Sequence, residues 1–355
     1  MFVKNLHRIE KVDMEILTHG LLTVLNLFLI VGCCVVFTNA VEHLGKIYNL
    51  NEGAVGSILA AVGTALPETI VPLVAILGAY LAHTDVTVGK EIGIGAILGA
   101  PFLLSTLAMF VTGVGVIVFW KLKKRKYEMN ANYVVMFRDL KFFFFSYTLA
   151  IAAGFIHVPV IKYLCAAALF IYYGVYVFRT LNCSHAACGE ESEVDELLFT
   201  KILKKYNKFL VWLQVAASIG FLIWFAHMFV GQITFFAGLF KINPLILSLI
   251  LAPIATELPE KFNSVLWVSQ NKDTLALGNI TGAMVFQSCI PTAIGILLTP
   301  WVFGTESIIN IALVYLSTVV LFINLFRNKS FNPHILMTCG IFYLIYIVYV
   351  FVKVI

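Results

Sequence analysis

The residues best equipped for chemistry stand in two short stretches, Gly63-Thr64-Ala65-Leu66-Pro67-Glu68 and Ala255-Thr256-Glu257-Leu258-Pro259-Glu260. Each sets a threonine, a proline and a glutamate in the same order and at the same spacing. Proline has no N–H, so Pro67 releases the carbonyl of Gly63 from its helical partner, and Pro259 does the same for Ala255. Thr64 and Thr256 precede the glutamates by four residues, which puts hydroxyl and carboxylate on one helix face. Each motif therefore gathers a carboxylate, a hydroxyl and a released backbone carbonyl on one side. Those are the oxygen donors that hard cations take, presented as in a broken membrane helix.

Both stretches lie inside apolar segments, where a carboxylate costs roughly 3 kcal/mol on insertion scales. It persists there by facing a polar cavity, by binding a cation or by taking a proton. Two such glutamates facing each other balance one divalent ion, or two monovalent ions or protons. The plainer reading has prolines that only kink, threonines that bond their own backbone and glutamates that stay protonated. Recurrence of the whole motif at matched positions weighs against it.

The elements that must position these residues are membrane helices. The chain has 355 residues, of which 61% are hydrophobic and only 12% charged, against roughly 25% charged in a soluble domain. Apolar segments fall near 20–41, 54–82, 92–120, 141–158, 160–180, 209–231, 244–270, 275–299, 306–326 and 334–354. Their lengths predict an all-α, polytopic membrane protein of about ten transmembrane helices. Between 141 and 180 the one break is His157-Val158-Pro159. Residues 1–19 are too polar for a signal core and are expected as a short surface helix. The net charge of +5 is small for this length and suits membrane orientation better than nucleic-acid binding.

An internal repeat divides the chain. Residues 48–68 align with 240–260 without a gap, pairing Tyr48 with Phe240, Asn51 with Asn243, Thr64 with Thr256, Pro67 with Pro259 and Glu68 with Glu260. Gly95-Ala-Ile-Leu-Gly99-Ala100 likewise matches Gly278-Asn-Ile-Thr-Gly282-Ala283. Five spans separate the copies, and an odd number inverts the second, the plan of many secondary transporters. The expected organisation is an N-terminal surface segment at 1–19, a first five-helix repeat at 20–180, a cytoplasmic connecting loop at 181–208 and a second five-helix repeat at 209–355. The basic stretch from Lys121 to Lys141 marks a cytoplasmic side. Alternation from there puts more than twice as many Lys and Arg inside as outside, with both termini outside a cell membrane. Cys183 and Cys188 flank His185 in the connecting loop, too few ligands for a closed zinc site. The other five cysteines sit in apolar segments and read as small hydrophobes.

The paired motifs, each followed by a glycine-rich helix, resemble the α-repeats of the cation/Ca²⁺ antiporter superfamily, and prokaryotic sodium/calcium exchangers most of all. The resemblance covers both repeats. It implies a fold of two inverted five-helix halves, in which Na⁺ entering the cell drives Ca²⁺ out by alternating access. It implies Glu68 and Glu260 as central ligands shared by Ca²⁺ and Na⁺, and Thr64 and Thr256 as Na⁺ ligands. Carbonyls near Ala61 and Pro253 would contribute. No resident cofactor is implied, since Ca²⁺ and Na⁺ are cargo. The departures are specific. The family's motif serine is replaced by Ala65 and by Glu257. The acid or amide expected on the third and eighth helices is Pro101 in one half and Met284 in the other. Asn279 keeps its place, and Thr281 or Gln287 are the residues placed to compensate.

Glu257 is an added carboxylate three residues before Glu260, on nearly the same face and a further candidate ligand. Two acids that close repel, and sharing a proton relieves them, which points to a cation/H⁺ antiporter as the alternative. Lys261 follows directly, about 100° around the helix, placed to pair with Glu257 or with a partner elsewhere. A third reading keeps the fold as a non-transporting cation sensor. An intramembrane enzyme is disfavoured: membrane aspartyl proteases use aspartates, and no HExxH, Ser/His pair or nucleotide loop occurs.

Overall fold

The computed structural model describes residues 2–47, 66–81, 85–183, 197–198 and 208–354. Within that range the described side chains exclude residues 2–13, 41, 42, 45, 46, 66, 181–183, 255, 258–260, 262, 263 and 354. The elements in order are α1 (Phe2–Ile47), α2 (Leu66–Leu81), α3 (Val86–Leu103), a π-helical turn (Leu104–Ala108) and α4 (Met109–Lys121). They continue as α5 (Tyr133–Phe155), α6 (Pro159–Cys183), α7 (Lys208–Phe240), α8 (Pro244–Ser269), α9 (Asp273–Leu298), α10 (Thr305–Asn328) and α11 (Pro333–Val354). The described residues contain helices and no strands.

Several helix starts follow from local chemistry. Asp85 accepts from the Thr87 N–H at 2.9 Å and opens α3. Asn132 accepts from Val134 at 3.0 Å and opens α5. Asn243 accepts from Leu245 at 2.8 Å, with Pro244 in the first turn of α8 where its missing N–H costs nothing. The Asn132 cap moves the start of α5 eight residues ahead of the apolar segment expected at 141, so Arg138, Asp139 and Lys141 are helical and not loop. The His157-Val158-Pro159 break is real: α5 ends at Phe155 and α6 starts at Pro159. Helix α1 runs from Phe2 to Ile47, so residues 2–19 continue into the first span and form no helix of their own.

Seven helices among the described residues are long and apolar enough to cross a membrane. One is the run from Val86 to Lys121, in which the π turn joins α3 to α4. Three helices fall short for identifiable reasons. The described part of α2 is 16 residues long. Helix α8 carries Glu257, Glu260 and Lys261 at its middle, and α5 carries three charges near its start.

The bundle is organised by close approaches to α3. A methyl group added at Gly89 would lie 2.5 Å from Ala75 O, and one at Gly93 would lie 2.5 Å from the Ile76 side chain, both on α2. On another face, a methyl at Gly95 would lie 2.3 Å from Leu245 O and one at Gly99 2.2 Å from Leu249 O, both on α8. Side chains at these positions would force the helices apart. Ser248 Oγ adds a 2.7 Å hydrogen bond to Ile92 O. The glycines of α3 thus clamp it between the helices that carry Glu68 and Glu257.

A second tie sits at one end of the bundle. The Arg125 guanidinium is bidentate to Asp273, at 2.7 and 3.1 Å, and also donates to Val268 O at 2.9 Å. The Asn130 N–H reaches the same carboxylate at 2.8 Å. The connection between α4 and α5 is thereby pinned to the turn between α8 and α9. Both charges are buried.

Two outcomes follow. Gly99→Val is expected to lower thermal stability in detergent sharply, by more than the roughly 1–3 kcal/mol typical of overpacking, because its clash is with backbone. Arg125→Met strands the Asp273 carboxylate and is expected to cost about 3–5 kcal/mol. An unchanged melting curve for either variant would contradict the packing described.

Candidate functional site

Helix α2 brings in Glu68, which is 5% exposed. It packs on α3 and α7 and reaches α8 and α9. Helix α8 brings in the second motif with Pro253 and Pro259 both within its helical span. Pro253 has no N–H for Leu249 O, and that carbonyl lies against Gly99, where the absent side chain lets the backbones meet. Pro253 itself is buried.

Thr256 is buried, and its hydroxyl donates to Ala252 O at 3.1 Å within its own helix. Glu257 is 1% exposed and Lys261 is 2% exposed. Lys261 Nζ lies 3.4 Å from Glu257 Oε2. Gln287 of α9 donates from Nε2 to Glu257 Oε1 at 2.9 Å. Of the partners open to Lys261 in the sequence, the structure pairs it with Glu257, and a second donor arrives from the neighbouring helix. The Lys261 ammonium offsets the repulsion that Glu257 would otherwise impose on this stretch of α8.

Helix α9 holds the polar residues expected to stand in for missing ligands, and the structure sorts them by face. Asn279 donates to Ser264 Oγ of α8 at 3.4 Å, and Gln287 also points to α8. Thr281 does not. Its hydroxyl donates to Asp139 Oδ2 of α5 at 2.8 Å. Met284, at a position where the family places an acid or amide, is fully buried among apolar side chains. Pro101 is buried within α3.

Of the expected site residues, Ala61, Gly63 and Thr64 lie outside the described residues. Ala255 and Glu260 lie within helical backbone of α8, with side chains outside the described set. The Cys183–Cys188 pair is also outside it. Among the described residues, no three His, Cys, Asp or Glu side chains gather as a metal centre.

Asp139 was not singled out by its sequence position, because apolarity places it in a loop. It is 1% exposed and accepts from Thr281, from Tyr176 OH at 3.2 Å and from Arg138 at 3.0 Å. This cluster ties α5, α6 and α9 together. The available signal was the Asn132 cap, which extends the helix back through Asp139.

The sequence matches the family described as "Sodium/calcium exchanger protein" over residues 18–182 and 210–355. The putative antiporter CaxA of Alkalimonas amylolytica is 23% identical over 297 residues, covering 79% of this chain and 82% of that protein. The crystal structure of the H⁺/Ca²⁺ exchanger CAX has a TM-score of 0.67 at 14% identity, covering 94% of this chain and 86% of that one. The sodium-calcium exchanger NCX_Mj has a TM-score of 0.56 at 19% identity, covering 94% and 98%. At such identities the structural likenesses speak for the fold, while the family match spans both halves of the sequence. The chain belongs to the sodium/calcium exchanger protein family and is a multi-pass membrane cation antiporter, not an enzyme.

Proposed function

We propose that this chain exchanges Ca²⁺ for Na⁺ by alternating access, at a site near the membrane midplane formed by Glu68 and Glu260. The observation that carries this reading is the recurrence of Thr-x-x-Pro-Glu in the sequence, with Pro67 and Glu68 on α2 and the second motif on α8, both helices packed closely on the glycine-rich α3. The ten-span arrangement of two inverted halves, with both termini outside, belongs to the same proposal. It is supported by the gapless match of 48–68 with 240–260 and by the Lys and Arg bias. Thr64, Thr256 and the carbonyls of Ala61, Gly63, Pro253 and Ala255 are the neutral oxygens assigned to the cations. Asn279 supplies the amide on α9.

Ion coordination must replace a hydration shell, and Ca²⁺ takes six to eight oxygens. Within the bundle the carboxylates are the strongest donors available. In alternating access, cargo that neutralises them lets the loaded site re-orient without moving bare charge through low dielectric. Na⁺ and Ca²⁺ competing for the same two carboxylates is what couples their movements.

A second reading, exchange of Ca²⁺ for H⁺, is favoured by one specific observation. Ala65, Pro101 and Met284 remove side-chain oxygens where a Na⁺ shell needs them. A proton needs a carboxylate and no shell.

In proteoliposomes, an outward Na⁺ gradient is expected to drive uptake of radiolabelled Ca²⁺. Uptake that ignores Na⁺ and follows a pH gradient would transfer the assignment to the H⁺ reading. Glu68→Gln and Glu260→Gln are each expected to reduce exchange to the background of empty vesicles, with protein still folded by thermal melt. Full activity in Glu68→Gln would remove the proposed site.

A further inference from the structure

A concentration of buried polarity lies away from the motif helices, between α10 and α11. Ser307 Oγ, both side-chain polar atoms of Asn310 and the hydroxyls of Tyr343 and Tyr346 have no hydrogen-bond partner among the described residues. They are five of the ten such buried atoms in the described residues, so the feature is local and not a scatter. Asn310 and Tyr346 are wholly buried, and Ser307 and Tyr343 nearly so. With no water available from hydrocarbon, orphaned groups of this kind call for an occupant.

The five atoms belong to one place. Helices α10 and α11 run antiparallel, in a register fixed at three levels. Asn324 Oδ1 accepts from the Asn332 N–H at 3.1 Å, Ser317 lies beside the Cys339 thiol, and Glu306 pairs with Lys353 at the far end. Between the last two, the register sets Asn310 level with Tyr346, and Ser307 one turn nearer to Glu306 and Lys353. The faces agree. On α10, Ser307, Asn310, Val314 and Ser317 form one buried stripe at three- and four-residue spacing. On α11, Cys339, Tyr343, Tyr346 and Val350 form the other. Phe102 of α3 meets both tyrosines, stacked on Tyr343 at 5.3 Å between centroids and edge-on to Tyr346 at 5.1 Å. The Glu306 carboxylate is within electrostatic reach of Tyr346.

The chemistry of the five atoms selects the occupant. The Asn310 amide offers N–H donors, each hydroxyl offers a donor and an acceptor, and the Asn310 carbonyl only accepts. A cation needs acceptors and is turned away by the amide N–H groups. An anion would leave the Asn310 carbonyl unanswered. Water donates and accepts, and carries no charge into the bundle.

We infer that α3, α10 and α11 enclose a binding site for water, built by Ser307, Asn310, Tyr343 and Tyr346. Five atoms suit about two molecules, since a buried water makes about three hydrogen bonds. The way in passes Glu306 and Lys353, whose side chains are 22% and 48% exposed. The way on is stopped by Phe102, which is buried. The site is separate from the motif helices, and the inference does not depend on which ions the chain exchanges.

The test is hydroxyl-radical labelling of the full-length chain in detergent by a brief X-ray pulse, read residue by residue by mass spectrometry. The radicals form from water where it sits, so a buried side chain is labelled beside bound water. Tyr176 is the internal reference, because it is as buried as Tyr343 but its hydroxyl is taken by Asp139. Tyr343 and Tyr346 are expected to label about fivefold or more faster than Tyr176. Asn310→Leu keeps the volume and removes the amide, and is expected to bring Tyr346 down to the rate of Tyr176 with Tyr176 itself unchanged. Equally slow labelling of all three tyrosines in the wild type overturns the inference, by making Asn310 and the tyrosines each other's partners, and that measurement needs no variant to fold. Labelling of Tyr346 that is the same in Asn310→Leu as in the wild type also overturns it. So does labelling that changes when Na⁺ is replaced by choline, which would make the occupant an ion.

Discussion

Charge inside an apolar bundle has to be answered locally, and the placement of the polar residues in this chain follows from that constraint. Water does not screen a buried carboxylate, so the bundle supplies partners. Asp273 has Arg125 and a backbone N–H. Asp139 has Arg138, Thr281 and Tyr176. Glu257 has Lys261 and Gln287. In all three cases the partner set includes a side chain or backbone group from another helix or connection, so neutralisation also fixes how elements sit against each other. Glu68 and Glu260 are the acids whose neutralisation the exchanger reading assigns to cargo.

The second requirement is that helices bearing those acids come close. Two helices carrying prolines cannot pack through long side chains and still bring released carbonyls near each other. Helix α3 solves this with small residues: Gly89 and Gly93 admit α2, and Gly95 and Gly99 admit α8. Contact with Leu249 O is notable, because Pro253 denies that carbonyl its helical bond, and the bare Cα of Gly99 lies against it. Among the described residues, the matching glycines of α9 meet side-chain atoms, Gly278 at 3.7 Å and Gly282 at 3.4 Å. By the repeat, the partner of α9 would be 53–61, which lies outside the described residues.

Much of this was legible in the sequence, for reasons that can be named. The motifs stood out because glutamate and proline are both costly in an apolar helix. For Lys261 the sequence allowed Glu257 or a partner elsewhere, and the packing pairs it with Glu257. Helix starts were written in Asp85, Asn132 and Asn243, yet the start of α5 was misplaced where apolarity was weighed above the Asn132 cap. Thr281 and Gln287 stood as alternatives on α9. On a helix, 281 and 287 differ by about 240°, so they cannot both face α8; the residue types allowed either one, and only the packing chose. Asp139 was hidden because its partners come from α6 and α9, distant in sequence.

The sorting of α9 by face has a mechanical meaning. Asn279 and Gln287 hold α8, while Thr281 and Ser288 hold α5, the latter through a 2.6 Å contact with Ser146. One helix therefore touches the second motif on one side and a buried polar cluster on the other. Hydrogen bonds in an apolar medium have no water to replace them. Breaking either set while the other holds would leave donors and acceptors exposed to hydrocarbon. Parting α9 from α8 would cost the Gln287 bond to Glu257 and the Asn279 bond to Ser264, and parting it from α5 the bonds of Thr281 and Ser288. The Glu257–Lys261 ion pair lies within α8 and stays intact in either case.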